Sequence, residues 1–151
     1  MPDPSHVIRT DGASKGNPGH ASIAYLIEDA DGHVVSSHGR YIGKQTNNVA
    51  EYTALVEALH AARELGVDRV EAFSDSELMV KQISGEYRVK NETLRPLYES
   101  VMAALRGFMS ASVTHVPREQ NRAADKLAGD VIRARMKALK EAEGAPAEAS
   151  G

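Results

Sequence analysis

The sequence predicts an α/β fold built on a mixed five-stranded sheet, with three antiparallel strands first, parallel strands after them, and flanking helices. Three observations lead to this prediction. Up to Ile42, short apolar runs alternate with turn-forming residues, which is typical of strands joined by hairpins. From Ala50 onward, apolar residues recur at steps of three and four, which is the period of a helix. Two further apolar runs, at 69–74 and 111–116, lie between helical segments.

The first three strands are predicted to be antiparallel because only short turns separate them. Residues 7–11 form a short buried strand, and the segment 12–19, dense in glycine, asparagine and proline, turns the chain into a strand at about 20–28. Asp31-Gly32 is a strong hairpin signal, and the third strand runs over about 33–42.

Helices and strands alternate along the rest of the chain. Asn47 or Asn48 can cap the first helix, and Gly66 can end it. The later elements, in chain order, are a strand at 69–74, a short helix at about 75–84, an irregular segment at 85–93, a helix at about 94–108, a strand at 111–116 and a helix at about 121–143. Right-handed crossovers then place the ends of the first and fourth strands side by side.

Size and composition indicate one globular domain, with 151 residues of which 42% are hydrophobic and 26% charged. It is predicted to cover residues 7–143, between an N-terminal tail (1–6) and a disordered C-terminal tail (144–151). The absence of cysteine excludes a disulfide framework and a Cys-ligated zinc site. No signal peptide or membrane-length apolar run is evident, so a cytoplasmic protein without a membrane partner is expected. The net charge of −3 excludes a broadly basic protein that coats nucleic acids.

Four acidic residues occupy positions where a lone carboxylate is unfavourable. Asp11 ends the first strand, and Asp75 follows the fourth. Glu51 and Asp125 lie on the core-facing stripes of two separate helices. A charge placed there costs free energy unless it is paired or bound to a metal. The coincidence of four such placements favours one shared metal site.

Each carboxylate also has an ordinary structural interpretation. Asp11 can belong to a simple turn with the glycine after it, and Ser74 with Glu77 can form a capping box that leaves Asp75 at a helix N-terminus. Taken together, oxygen ligands without cysteine suit Mg²⁺ or Mn²⁺. Four carboxylates can hold two ions about 3.5–4 Å apart, an arrangement suited to phosphodiester hydrolysis.

The segments around these carboxylates resemble, in the same order, the four motifs of type I ribonuclease H. They are TDGASKGNPG at 10–19, TNNVAE at 46–51, SDS at 74–76 and NRAADKLA at 121–128. The resemblance covers residues 7 to about 132 and implies the ribonuclease H-like fold. It implies an endonuclease that cleaves the RNA strand of RNA–DNA hybrids and leaves 5′-phosphate and 3′-hydroxyl ends. It assigns the catalytic metal ligands for two Mg²⁺ ions, with Mn²⁺ as a substitute, to Asp11, Glu51, Asp75 and Asp125.

The same resemblance assigns mostly small polar residues to the hybrid groove: Gly12, Ser14, Asn17, Asn47, Asn48, Ser76 and Gln82. Lys15, Asn91, Arg118 and Asn121 complete the predicted substrate-binding set. Such groups can contact 2′-hydroxyls and phosphates across a shallow groove, and they recognise shape rather than sequence. Asn17 can equally form a turn with Pro18 and Gly19, and Asn47 and Asn48 can form a helix cap; these roles are compatible with substrate contact.

Two departures from the family pattern concern substrate grip and water activation. The basic, Trp-rich protrusion of many bacterial members is replaced by the short segment 84–93, so weaker grip is expected, carried by Lys15, Lys44, Arg88, Lys90 and Asn91. The loop at 117–120 lacks the histidine that the family often has there. Arg118 is the predicted substitute, able to hold a phosphate but not to act as a base. His115 is predicted to be structural, inside the fifth strand.

Two alternative functions stay open at this point. A different nuclease of the same fold, such as a 3′→5′ exonuclease or a resolvase, is the nearest, although the GNPG and TNN-x-x-E segments favour the hybrid enzyme. The other is a hybrid-binding module whose metal site has decayed, against which all four acidic positions argue. Duplex RNA is a second candidate substrate because A-form geometry is partly shared. A monomer is expected.

Overall fold

The computed structural model describes residues 5–144 and confirms the mixed five-stranded sheet with flanking helices. Its elements are β1 (His6–Gly16), β2 (Gly19–Glu28), β3 (Val34–Gln45), α1 (Asn47–Glu64), β4 (Arg69–Ser74), α2 (Glu77–Ile83), α3 (Leu94–Leu105), β5 (Ser110–His115) and α4 (Arg122–Glu143), with a 3-10 turn at Arg118–Gln120 before α4. The strand order is β3-β2-β1-β4-β5. The β1–β2 and β2–β3 pairs are antiparallel, and the β1–β4 and β4–β5 pairs are parallel. The predicted tails lie outside the described residues, apart from 5–6 and 144.

The first strand is longer than predicted, and the expected turn over residues 12–19 is wrong for most of that segment. β1 and β2 pair without a break from Val7↔Glu28 to Gly16↔Gly19, so only Asn17 and Pro18 form the turn. The partner strand β2 supplies hydrogen-bond partners along this whole length, and this outweighs the weak strand propensity of the glycines and small polar residues. The predicted turn at Asp31-Gly32 is confirmed, and Gly32 has a φ of 85°.

Helices cover both faces of the sheet. On one face, α1 packs its alanine and leucine stripe against β1 and β2, and residues of α3 complete the same core. The large side chains of this core are Ile8, Tyr25, Ile27, Tyr52, Leu55, Leu59, Val70, Met79, Leu94, Val101 and Phe108. Burying each aliphatic side chain of this size stabilises the fold by about 1.5–3 kcal/mol.

The opposite face carries α4. Residues 21 and 23 of β2 face α1, so Ser22 between them faces the other way, and its Oγ donates a hydrogen bond to the carbonyl oxygen of Ala128 over 2.6 Å. Gly39 of β3 lets α4 approach closely, because a Cβ there would lie 2.8 Å from Cγ2 of Val131. The two helices that carry Glu51 and Asp125 therefore sit on opposite faces of one sheet.

Two predicted helix starts are wrong in detail. Thr46, not Asn47 or Asn48, caps α1, because its Oγ1 accepts a hydrogen bond from the backbone N–H of Val49. Ser76, not Ser74, caps α2. In both cases the N-terminal cap is the residue immediately before the helix whose hydroxyl reaches the third amide, as the geometry of a helix start requires.

Three boundaries near the end of the chain also shift. The predicted helix 94–108 ends at Leu105, which leaves Phe108 in the connection to β5, and the predicted strand 111–116 begins and ends one residue earlier. His115 lies in β5, as predicted, but it is the last residue of the strand and is exposed. Within residues 5–144, no helix combines the length and the hydropathy needed to cross a membrane.

Candidate metal centre and nucleic-acid interface

The parallel strands β1 and β4 bring Asp11 and Asp75 together. Their ladder ends at Arg9↔Phe73, so Asp11 lies just past its end on β1, and Asp75 follows the last residue of β4. One carboxylate oxygen from each of Asp11, Glu51 and Asp75 lies within 4.8 Å of the others. The predicted convergence of these three side chains is therefore confirmed as geometry.

Glu51 reaches this point because α1 begins directly over Gly12. The backbone N–H of Gly12 donates a hydrogen bond to Oε1 of Glu51, and both residues are buried. A Cβ at residue 12 would lie 2.4 Å from the carbonyl carbon of Ala50 and 2.4 Å from the backbone nitrogen of Glu51. Only glycine permits this approach. Gly12 was predicted as a substrate contact, and no local pattern in the sequence indicates its packing role.

Asp125 approaches from the opposite face. It lies in the first turn of α4, on the side of the sheet toward which Asp11 points, and its carboxyl group is one of the causes that raise the pKa of Asp11. Nη2 of Arg118 lies 3.4 Å from Oδ1 of Asp125, and the Arg118 side chain is 78% exposed. Arg118 thus stands at the solvent edge of the four-carboxylate cluster, here called the acidic centre (Asp11, Glu51, Asp75 and Asp125).

The acidic centre holds its negative charges at a high electrostatic cost. Burial is the main cause that raises the pKa of Asp11 to about 10, and the neighbouring charges of Glu51 and Asp75 add to it. Burial also raises the pKa of Glu51 to about 8, with the charge of Asp75 as the next cause. A divalent cation would relieve this cost, and an all-oxygen donor set is the type that Mg²⁺ and Mn²⁺ prefer. The residues present therefore fit such ions.

Several of the predicted substrate-binding residues line one cleft of about 260 Å³ beside the start of α1. They are Asn17, Asn48 and Asn91, together with Lys44 and Thr46. Two of the asparagines also hold the backbone: Oδ1 of Asn17 accepts from the N–H of Asn47 over 3.1 Å, and Oδ1 of Asn91 accepts from Thr93 and Leu94 at the start of α3. The turn predicted at Asn17 is thus present, whereas the bonds of Asn91 at the start of α3 were not predicted.

Other predicted contacts are distributed around the acidic centre. Oγ of Ser14 donates to the carbonyl oxygen of Gln45 over 3.1 Å, and Lys15 is exposed near the end of β1. Gln82 is buried, and its Oε1 accepts a hydrogen bond from the hydroxyl of Tyr52 over 2.6 Å. No local pattern in the sequence indicates this hydrogen bond, because the two residues lie on different helices.

A second, larger cleft of about 600 Å³ contains Arg88 and Lys90, two of the cations predicted to grip the substrate. Arg95 and Tyr98 of α3 line the same cleft. The guanidinium of Arg95 donates to the carbonyl oxygen of Val89 over 2.9 Å. Arg95 was not among the predicted substrate contacts, because its segment was assigned only as a helix.

Comparison with known proteins identifies the family of this chain. The family described as reverse transcriptase-like matches residues 9–131. Ribonuclease HI of Halobacterium salinarum is 43% identical over 122 residues, which cover 81% of this chain and 61% of that protein. The chain therefore spans less than two thirds of this relative's length.

Two solved structures are similar over nearly their whole length. The N-terminal ribonuclease H domain of a Mycobacterium tuberculosis protein, solved as a fusion with maltose-binding protein, has a TM-score of 0.86 at 38% identity and covers 89% of this chain and 98% of that one. LC11-RNase H1, solved in complex with an RNA/DNA hybrid, has a TM-score of 0.83 at 38% identity, with 87% and 99% covered. This chain belongs to the ribonuclease H family and has its fold.

Proposed function

We propose that this protein is a metal-dependent endoribonuclease that hydrolyses the RNA strand of RNA–DNA hybrids. The convergence of Asp11, Glu51 and Asp75 within 4.8 Å, with Asp125 beside them, carries the proposal. The resemblance to ribonuclease HI and to a hybrid-bound RNase H1 supports the substrate class.

The acidic centre would hold two Mg²⁺ ions, with Mn²⁺ as a substitute. When bound, such ions activate a water as the nucleophile and stabilise the leaving oxygen, so that cleavage leaves 5′-phosphate and 3′-hydroxyl ends. The protein's contribution is to bring the carboxylates together before the substrate arrives. Glu51 is held by the Gly12 amide through one oxygen, which leaves its second oxygen for a ligand. Asp11 gives up its proton when a cation binds, because metal ligands must be deprotonated.

The two clefts near the acidic centre are proposed to hold the hybrid. The cleft of Asn17, Lys44, Asn48 and Asn91 offers amides and one cation, which suit the sugar–phosphate backbone. Gly12, Ser14, Lys15, Asn47, Ser76 and Gln82 remain proposed substrate contacts, and Arg88 and Lys90 extend the cationic surface. Because none of these groups needs to contact a base edge, binding should depend on hybrid shape rather than on sequence.

Arg118 is proposed to hold a phosphate or the departing product in place of the missing histidine. Its exposed guanidinium at the edge of the acidic centre supports this role. Arg118→Ala should lower turnover or raise the Michaelis constant, whereas Arg122→Ala, an exposed arginine in the first turn of α4, is the matched control. Unchanged turnover and Michaelis constant for Arg118→Ala would exclude the role.

A cleavage assay on four substrates tests the proposal. Labelled RNA–DNA hybrid, duplex RNA, duplex DNA and single-stranded RNA are incubated with Mg²⁺ or Mn²⁺, and the product ends are identified. Cleavage within the RNA strand of the hybrid, with 5′-phosphate ends, is expected, and weaker cleavage of duplex RNA is compatible. Cleavage of DNA would instead identify another nuclease of this fold, and binding without cleavage would identify a binding module.

The monomeric state and cytoplasmic location remain proposals that follow from the substrate. A monomer leaves the two clefts free for a long duplex, and RNA–DNA hybrids form where DNA is copied and transcribed. Light scattering at assay concentrations and cell fractionation test the two points. A dimer, or recovery outside the cytoplasmic fraction, would contradict them.

A further inference from the structure

Asn121 connects three elements of the acidic centre through its own hydrogen bonds. It precedes α4 and is 1% exposed. Its Nδ2 lies 2.8 Å from the carbonyl oxygen of Thr10 and 3.4 Å from Oδ2 of Asp75, and donates to both. Its own carbonyl oxygen accepts from the backbone N–H of Asp125 over 3.1 Å. One buried residue therefore contacts the neighbour of Asp11, Asp75 itself and the helical turn that carries Asp125.

The position of Asn121 coincides with the point where β1 and β4 separate. The β1–β4 ladder ends at Arg9↔Phe73, and Thr10 takes no part in it. Beyond that point no strand hydrogen bond holds Asp11 against Asp75, although both carboxylates repel each other. The Asn121 side chain spans this gap by joining the β1 backbone to the Asp75 carboxylate.

The orientation of the Asn121 amide follows from its partners. Both groups near Nδ2 are acceptors, so the opposite orientation would place Oδ1 against a carbonyl and a carboxylate. In the orientation observed, Oδ1 is buried without a hydrogen-bond partner within the described residues. A buried acceptor without a partner costs free energy. The Asn121 side chain therefore keeps its two donated hydrogen bonds although its Oδ1 accepts none from the residues that the structure describes.

Asn121 also does not perform the usual task of a residue at this position. It occupies the N-cap of α4, yet its side chain makes no capping hydrogen bond. Its burial argues against the direct substrate contact that the sequence predicted. An aspartate would add a charge to the acidic centre, and a serine is too short to reach both acceptors. A neutral, two-donor side chain is what the site requires.

We propose that Asn121 is a positioning residue that fixes Asp11, Asp75 and Asp125 relative to one another, so that the acidic centre binds its divalent ions tightly. This inference rests on the proposed metal-dependent function. Partners that orient metal ligands commonly contribute about 10–100-fold to metal affinity or activity. Its buried side chain acts through the Thr10 carbonyl and the Asp75 carboxylate, and it is not proposed to contact the hybrid.

The test is Mn²⁺ binding to the folded, substrate-free protein, measured by titration calorimetry. Asn121→Ala is expected to weaken Mn²⁺ binding by about 10–100-fold. Asn121→Ser, which keeps a polar group at the cap, should fold more readily and show a loss of the same direction. Ser22→Ala is the matched control, because it removes another buried hydrogen bond between α4 and the sheet, to Ala128, without touching a carboxylate. Its Mn²⁺ affinity should stay within about twofold of wild type.

A second readout separates positioning from substrate contact. Hybrid binding in EDTA should be the same for wild type and Asn121→Ala, and the lost turnover should return as Mg²⁺ is raised. Unchanged Mn²⁺ affinity in the Asn121 variants would overturn the proposal, as would weaker hybrid binding in EDTA. Failure of both variants to fold even in saturating Mn²⁺ would assign Asn121 to folding and overturn it as well. If wild type binds no Mn²⁺, or if Asp11→Asn binds it as tightly as wild type, the proposed metal-dependent function itself is wrong.

Discussion

Asp11→Asn should stabilise the metal-free protein at neutral pH, although it should abolish catalysis. The pKa of Asp11 is raised from 3.8 to about 10, first by burial and then by the charges of Glu51 and Asp75. At pH 7 the folded protein therefore keeps a proton on Asp11 that the unfolded chain releases. The amide introduced by the substitution is neutral in both states.

The magnitude follows from proton linkage. A group with a raised folded pKa binds more protons in the folded state, so stability is full below the unfolded pKa and falls as the pH rises toward the folded pKa. The interval between the unfolded pKa of 3.8 and pH 7 is about three pH units, and each unit lowers the free energy of unfolding by about 1.4 kcal/mol. The upper limit for the stability that Asp11 costs at pH 7 is therefore about 4 kcal/mol. For a chain of this size, 1 kcal/mol shifts the melting temperature by about 2–4 °C, so a rise of about 10 °C is expected.

The assay is thermal unfolding in EDTA at pH 4, 5.5 and 7 for wild type, Asp11→Asn and Asp130→Asn. Asp130→Asn is the control, because it makes the same chemical change outside the acidic centre. Lys126 and Arg133 lower the pKa of the Asp130 carboxyl group, so this substitution should not stabilise the protein. The difference in melting temperature between Asp11→Asn and wild type should grow from pH 4 to pH 7. Adding Mg²⁺ should raise the melting temperature of wild type and of Asp130→Asn, but not that of Asp11→Asn, by the equivalent of about 2.7 kcal/mol at 100 times the dissociation constant.

Two results would refute this reasoning. If Asp11→Asn is less stable than wild type at pH 7 in EDTA, burial and the neighbouring charges do not raise the pKa of Asp11 in the folded protein. If its advantage is the same at pH 4 as at pH 7, protonation of Asp11 is not its source.

Three other changes test further parts of the structure. Gly12→Ala places a Cβ 2.4 Å from the α1 backbone, so we expect lost cleavage and about 1–3 kcal/mol lower stability in urea; normal activity would contradict the close packing. Tyr52→Phe leaves the buried Gln82 oxygen without its 2.6 Å donor and should cost about 1–3 kcal/mol in the same assay, so an unchanged midpoint would count against this bond. Lys44→Ala should lower the slope of log affinity against log salt by about 0.9 for every hybrid sequence, whereas Lys140→Ala at the far end of α4 should not; equal slopes for wild type and Lys44→Ala would remove Lys44 from the interface.

The acidic centre could be predicted because its signals are local in the sequence. Glu51 and Asp125 each interrupt a helical apolar stripe, and Asp11 and Asp75 each end an apolar run. The parallel pairing of the first and fourth strands follows from general crossover rules. Together these signals were sufficient to bring the carboxylates to one place.

The features that escaped prediction depend on partners distant in the chain. The extra length of β1 comes from its pairing with β2, which local turn propensity cannot indicate. The close approach at Gly12 depends on where α1 lands, 39 residues away. Asn121 has the sequence context of a helix start, yet its side chain bonds Thr10, 111 residues earlier. The direction of a polar side chain at a helix start is set by such contacts.

The most direct test of the central claim is cleavage of an RNA-labelled RNA–DNA hybrid by wild type and Glu51→Gln, each in Mg²⁺ and in EDTA. Glu51→Gln keeps the size of the side chain and removes its charge from the acidic centre. We predict RNA-strand cleavage by wild type in Mg²⁺ and none under the other three conditions. Cleavage by wild type in EDTA, or full activity of Glu51→Gln, would contradict a catalytic metal centre built on these carboxylates.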